Sequence, residues 1–292
     1  MADDRRLCDI VIPRTRLNEL TYDCAGLAFW PGDCVEVRLR GRKARAVVVG
    51  LPVASGVKGI RPVERLVEPG LLDSALLRLA DWLADYYCCH RGEALGAILP
   101  RGIGGYRTGE RAPAGEPPAG PGFDVGLLPA RSGRFEAVLR FLDEARERGG
   151  GILLLTEAEL ESRRGELRAR FGDDLVEYHS RLGPTGMKRA WRDIRAGRGR
   201  VVAGTRSAVF APLAAPAGIA VLDAHDPVFK EERHPRYHAR DVAVVRARAA
   251  RCPVLLADPL PAVETWHNVT TCLLYTSPSP RDRTRSRMPS SA

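Results

Sequence analysis

The sequence predicts an α/β fold: a small β-rich N-terminal domain followed by a lobe built on a parallel sheet. Three observations carry this. Residues 7–68 hold short apolar strands broken by glycine turns. After residue 134, helical periodicity alternates with short apolar runs, the pattern of a sheet covered on both faces. Between them, 108–122 is rich in Pro, Gly and Ala and reads as a linker. The predicted division is 1–105, a linker over 106–124, a lobe over 125–271 and a non-native tail over 272–292.

Cys8–Pro13 reads as the first strand. Asp33–Arg40 and Ala44–Val49 flank Gly41-Arg-Lys as a hairpin, and Lys58–Glu68 adds a further strand. Leu72, Leu76, Leu79, Leu83 and Tyr87 share one face of a helix over Leu71–Tyr87, with a shorter helix over Glu93–Leu99. In the lobe, helices over Phe135–Arg148, Glu159–Phe171, Thr185–Ala196 and Ala239–Ala250 are predicted. They alternate with strands at Ile152–Leu155, Leu175–Tyr178, Val201–Ala203, Ile219–Leu222 and Val254–Leu256. Ligands of such sheets sit at the carboxyl ends of the strands, so loops 129–134, 156–158, 204–208, 223–230 and 257–261 hold the candidate residues.

The 292 residues suggest about two domains. No apolar run approaches the ~18 residues of a membrane span, and the polar start Met-Ala-Asp-Asp-Arg-Arg lacks a signal core, so a cytoplasmic protein with no membrane partner is expected. Seven cysteines stand at irregular spacing with no Cys-x-x-Cys, so reduced thiols are expected and neither a zinc ribbon nor a disulfide framework. The segment from Cys272 has the form of a translated sequencing adapter and is set aside, with the natural protein expected to continue past Thr271. Its four arginines and one aspartate take the net charge from +9 to +6, which still favours an anionic partner.

Leu128-Pro-Ala-Arg-Ser132-Gly133-Arg134-Phe135 stands before a helix, where a phosphate loop would lie. Such a loop needs a first glycine, then Gly-Lys-[Ser/Thr] to reach the β/γ-phosphates and hold Mg²⁺. Leu128, Arg134 and Phe135 occupy those positions, and a phenyl ring cannot ligate a metal. Ser-Gly-Arg is equally an ordinary helix start. Asp223 follows the fourth apolar strand where a metal-binding carboxylate would stand, but its neighbour is Ala224 rather than a water-positioning glutamate. Asp223-Ala-His225-Asp226 puts three ligands on one turn without a fourth, so a polar strand end is expected rather than a metal site. No functional ATP site and no catalytic residue is read.

Gly204-Thr205-Arg206-Ser207-Ala208 follows an apolar strand and offers amides, hydroxyls and one arginine suited to phosphate contacts. The other reading is a helix N-cap by Thr205 or Ser207. On the first, Arg206 contributes about one unit to the salt dependence of single-strand binding. Phe229-Lys230 and His234-Pro-Arg236-Tyr237-His238-Ala-Arg240 interleave aromatics with cations, suiting base stacking and phosphate neutralisation. The other reading is a solvated loop with Tyr237 packed on the sheet. Lys58 and Arg61 are further candidate contacts, or merely a solvated strand face.

Val202–Leu213, Asp223-Ala-His-Asp with Phe229-Lys and Arg236–Asp241, and Pro261–Thr265 together resemble the primosomal protein N′ (PriA) family of bacterial replication-restart helicases. Thr156-Glu157, His179-Ser180, Trp82–Tyr87, Gly92–Leu95, Leu99-Pro100 and Pro31–Val37 add to the resemblance. It implies a 3′-end DNA-binding domain before a RecA-like first helicase lobe. It also implies branched and single-stranded DNA as ligand, primosome proteins and single-stranded-DNA-binding protein as partners, and zinc only in a C-terminal part beyond residue 271.

The departures from the family pattern imply a branch without helicase activity. Gly-Ser-Gly-Lys-Thr is replaced by Arg131–Phe135, the acidic pair by Asp223-Ala224, and Ser-Ala-Thr by residues around Asp258-Pro-Leu260. Phe-Asp-Tyr of the 3′-end pocket reads Leu20-Thr21-Tyr22, so only Tyr22 carries over. The inserted winged helix is replaced by the 108–122 linker. Other readings are an active ATP-dependent 3′-5′ helicase with a variant loop, and a non-catalytic docking scaffold.

Overall fold

A computed structural model describes residues 6–52, 59–102, 122–129 and 132–270. Lys58, Arg131, most of the linker and the 272–292 tail lie outside the described residues.

The first sheet is antiparallel. Its strands are β1 (Leu7–Val11), β2 (Leu20–Asp23), β3 (Cys34–Leu39), β4 (Arg42–Gly50) and β5 (Arg65–Glu68), in the order β2-β1-β4-β3-β5. Successive side chains point to opposite faces. Cys8, Ile10, Tyr22, Val35, Val37, Ala46 and Val48 therefore form one core. The intervening Val11, Cys34, Val47 and Val67 face a second core shared with α1 (Ser74–Tyr86) and α2 (Arg91–Ile98). The Asp73 carboxylate accepts from the Leu76 amide at 2.7 Å and starts α1. Burial holds the Cys34 thiol protonated, its pKa raised to about 12.

The second sheet is parallel throughout and has the order β6-β11-β10-β7-β9-β8. Its chain runs β6 (Val125–Pro129), α3 (Arg134–Arg148), β7 (Gly151–Leu154), α4 (Glu157–Phe171), β8 (Leu175–Tyr178) and α5 (Gly183–Arg195). It continues through β9 (Val201–Gly204), a 3₁₀ turn at Arg206–Phe210, β10 (Gly218–Leu222), α6 (Ala239–Ala250), β11 (Val254–Asp258) and α7 (Val263–Thr270). On one face Leu139, Leu142, Leu160, Leu167 and Phe171 of α3 and α4 cover Leu153, Val201, Ala203, Ala220 and Leu222. On the other, Trp191 of α5 and Val242 of α6 cover Ile152, Leu154, Val202, Val221 and Leu256. Alternate residues of the same strands thus serve opposite layers, which is why these strands read as unbroken apolar runs.

The two sheets share that second core, because α1 and α2 pack with α5 and α6 in one continuous cluster. A polar clasp reinforces the contact. Arg195 pairs with buried Glu68 at 2.6 Å and donates to the Pro69 and Gly70 carbonyls at 3.2 and 2.5 Å. Tyr87 Oη accepts from the His238 amide at 3.1 Å.

Three elements are additions to the sequence reading. β2, β6 and α7 were not predicted, and the strand expected over Lys58–Glu68 is confined to Arg65–Glu68.

Candidate nucleic-acid interface

The carboxyl ends of the parallel strands bring the candidate residues together in two groups. The first lies where β6, β10 and β11 end. Gly133 takes a left-handed φ of 71° as it turns the chain into α3, leaving Ser132 and Gly133 exposed. Arg134 Nη2 contacts Asp223 Oδ1 at 3.0 Å, both side chains being largely buried. Phe135 faces the core beneath the Arg163 guanidinium, 4.5 Å from its ring centroid. Ala224 is fully buried. Burial raises the Asp223 carboxyl pKa and the Arg134 charge opposes that shift.

Asp258, at the end of β11, was not a candidate from spacing. Its carboxylate is buried and accepts from the His225 amide at 3.0 Å, with His225 Nδ1 2.7 Å from the same oxygen. The signal for it was an acidic residue closing an apolar strand beside another strand that ends in Asp223. Asp226, the third ligand suggested by sequence, instead accepts from the Val228 amide at 2.8 Å and caps a short turn.

The second group lies where β9 ends. Gly204 has no room for a side chain: a Cβ there would stand 1.9 Å from the Tyr178 carbonyl oxygen on β8. Neither hydroxyl of the following turn serves as its cap. The turn closes through the Ala208 amide on the Thr205 carbonyl at 2.8 Å, and Ser207 Oγ is buried with no hydrogen-bond partner. Arg206 donates to the Val228 and Lys230 carbonyls at 3.0 and 2.6 Å and pairs with Glu231 at 2.9 Å. Arg246 secures the turn from below. It is buried and donates to the carbonyls of Val209, Ala211 and Leu213 at 2.5, 2.6 and 3.2 Å.

Two residues expected to stack on bases do not present their rings. Phe229 is 0% and Tyr237 3% exposed, and Tyr237 sits edge-on to Phe210 at 5.0 Å, so hydrophobic burial has claimed both. His238 caps α6, accepting from the Arg240 amide at 3.3 Å, and burial lowers its pKa. Tyr22 is also in the core, donating to the Arg38 carbonyl at 2.8 Å. Lys230, Arg236 and Arg61 remain exposed.

Between α2 and the segments that follow β8, β9 and β10 opens a cleft of about 400 Å³ that the sequence did not reveal. Arg14, Arg101, Arg206 and Arg233 line it with Thr205 and Ser207, as do the carboxylate-bearing Glu93 and Glu231. Sequence could not assemble it, because Arg14 and Arg101 come from the first part and the rest from the second.

Arg206 carries a direct test. Because its guanidinium already has three partners within the protein, we predict that Arg206→Ala and Arg206→Lys both weaken single-strand binding by about 1–2 kcal/mol through loosening of the turn. The salt slope is expected to stay unchanged, measured by fluorescence anisotropy across a salt series. Retained affinity in the lysine variant, with a slope lower by about one in the alanine variant, would make Arg206 a phosphate contact instead.

An antiparallel β domain docked on a parallel-sheet lobe, with arginines and hydroxyls gathered at their junction, defines a two-part α/β protein. Residues 9–100 match the family described as the 3′DNA-binding domain (3′BD) of PriA. Over 232 residues the chain is 33% identical to the replication restart protein PriA of Treponema pallidum (strain Nichols), covering 71% of this chain and 35% of that protein. It is 39% identical to the replication restart protein PriA of Chlamydia pneumoniae over 140 residues, 47% of this chain and 19% of that one. With the replication restart protein PriA of Rickettsia typhi (strain ATCC VR-144 / Wilmington) it shares 24% identity over 288 residues, 91% of this chain and 44% of the relative. The chain is PriA-like, and its matches span less than half the length of each of these relatives. Among the described residues no helix is long and apolar enough to cross a membrane.

Proposed function

We propose that this chain is a replication-restart DNA-binding protein that holds branched or single-stranded DNA without turning over ATP. Its occupied triphosphate position is the observation that carries the second half of this reading. In a working cradle a lysine reaches the β/γ-phosphates, and a hydroxyl beside it holds Mg²⁺. Here Arg134 is paired with Asp223 at 3.0 Å and the next side chain, Phe135, is packed into the core. Ala224 supplies no carboxylate to orient an attacking water.

The DNA half rests on the match of residues 9–100 and on the arginine-lined cleft. Arg14, Arg101 and Arg233 are the cleft cations we assign to phosphate neutralisation, with Thr205 as a hydroxyl donor. Exposed Lys230 and Arg236 extend the basic surface. Contacts of this kind position a strand without reading its sequence. Recognition of stalled forks and help in reloading the replicative helicase, with primosome proteins and single-stranded-DNA-binding protein as partners, complete the proposal.

The expected result is binding to a forked oligonucleotide that weakens steeply with salt, because counterions are released with each phosphate neutralised. A fluorescent ATP analogue should show no saturable binding, and radiolabelled ATP no fork-stimulated turnover. Turnover above the DNA-free rate would establish a variant-loop helicase instead. Fork affinity equal to that of an unrelated protein of similar charge would favour a docking scaffold.

A further inference from the structure

We infer that Asp223, His225 and Asp258 form a site for one first-row divalent metal ion, which binds without nucleotide. One ligand atom from each residue lies within 4.8 Å of the others. Asp258 ends β11, and Asp223 and His225 lie in the turn after the adjacent parallel strand β10. That turn is tied to β11 by the Asp223 amide on the Ala257 carbonyl at 2.8 Å and the His225 amide on Asp258 at 3.0 Å.

Proximity of acidic groups alone would not make a site, but Asp258 adds an independent observation. Its side chain is 1% exposed, and while Oδ1 takes the His225 contacts, Oδ2 is buried with no hydrogen-bond partner. A buried carboxylate oxygen left unpaired loses its hydration without compensation, a cost that a bound cation removes. Asp223 is held by Arg134 through Oδ1, an arrangement that fixes a ligating carboxylate from its outer side. His225 is 41% exposed, so its ring borders the solvent from which an ion would arrive.

The donor set selects the metal. Two carboxylates and one imidazole suit Zn²⁺ or a similar first-row ion with water completing the shell, whereas Mg²⁺ prefers an all-oxygen shell. This differs from a magnesium held by nucleotide phosphates, since it requires neither ATP nor the hydroxyl that Phe135 lacks. The other ligand cluster, Cys89, Glu93 and His234, is a weaker candidate. Its Glu93 carboxylate is already engaged by Arg16 at 2.8 Å and by the His90 amide at 3.1 Å.

The test is calorimetric titration of the full, tag-free chain with ZnCl₂ and, separately, MgCl₂, without nucleotide. It is run in the C89S background so that the Cys89 cluster lacks its thiolate. One equivalent of Zn²⁺ is expected, with Mg²⁺ at least about tenfold weaker. H225A and D258N should each weaken Zn²⁺ by about tenfold or more. The asparagine keeps an acceptor for the His225 amide, and should D258N fail to fold, the exposed-side variant H225A decides. Zinc binding that is unchanged by H225A, absent in the C89S background, or dependent on added ATP would overturn the assignment.

Discussion

Replacing Arg246 by methionine is expected to lower the unfolding free energy by about 3–5 kcal/mol, the cost typical of breaking a buried charged network from one side. The methionine fills much of the volume, so the loss is polar rather than a cavity. The carbonyls of Val209 and Leu213 would lose the Arg246 donors and that of Ala211 would keep only the Leu213 amide, inside a part of the lobe that excludes water. Burial lowers the guanidinium pKa to about 10, so it is charged at neutral pH and the three carbonyls stand in for a carboxylate partner. Arg246→Lys should recover only part of the loss, because a single ammonium does not reproduce the planar fork. Urea denaturation followed by circular dichroism measures both. A change within about 0.5 kcal/mol, the range of an ordinary surface substitution, would show that the turn stands without this anchor.

The second large effect is steric. Gly204→Ala places a methyl 1.9 Å from the Tyr178 oxygen and 2.7 Å from its carbonyl carbon, while Ala208 Cβ lies 2.9 Å away. The obstacle is backbone, which cannot rotate aside, and Tyr178 is the direct partner of Gly204 in the β8–β9 ladder. The strands must separate, at a cost of about 3 kcal/mol or more. A thermal melt should show the loss, and single-strand affinity should fall with it because Thr205 follows directly. A melt superimposable on that of the unsubstituted protein would mean that β8 yields freely there.

Much of this fold could be read from periodicity. The five predicted lobe strands and four predicted helices are all found, because four of the strands are buried on both faces, the edge strand β8 still buries Tyr178, and each helix carries an apolar stripe. What escaped notice was local and marginal. β2 is a four-residue edge strand with one fully buried residue, Tyr22, so it had little apolar signal. β6 carries Gly126 and ends in Pro129, which made it resemble a loop. At the site, the unsuitable chemistry of Phe135 and Ala224 was legible, because it depends on residue type alone. The placement of Phe229 and Tyr237 was not, since an aromatic beside cations suits a stacking surface and a covered core equally. The pairings of Asp258 and Arg246 were not legible for a different reason: their partners are 33 to 37 residues away in sequence.

The clasp of Arg195 on Glu68 and the apolar layer beneath it bear on mechanics. A machine that advances along a strand must let its parts slide or pivot, yet here the two sheets are riveted across oil and salt together. The first sheet is thereby kept at a set distance and angle from the strand ends of the second. On the function proposed above, this rigidity suits a gauge for a junction rather than an engine that travels through one.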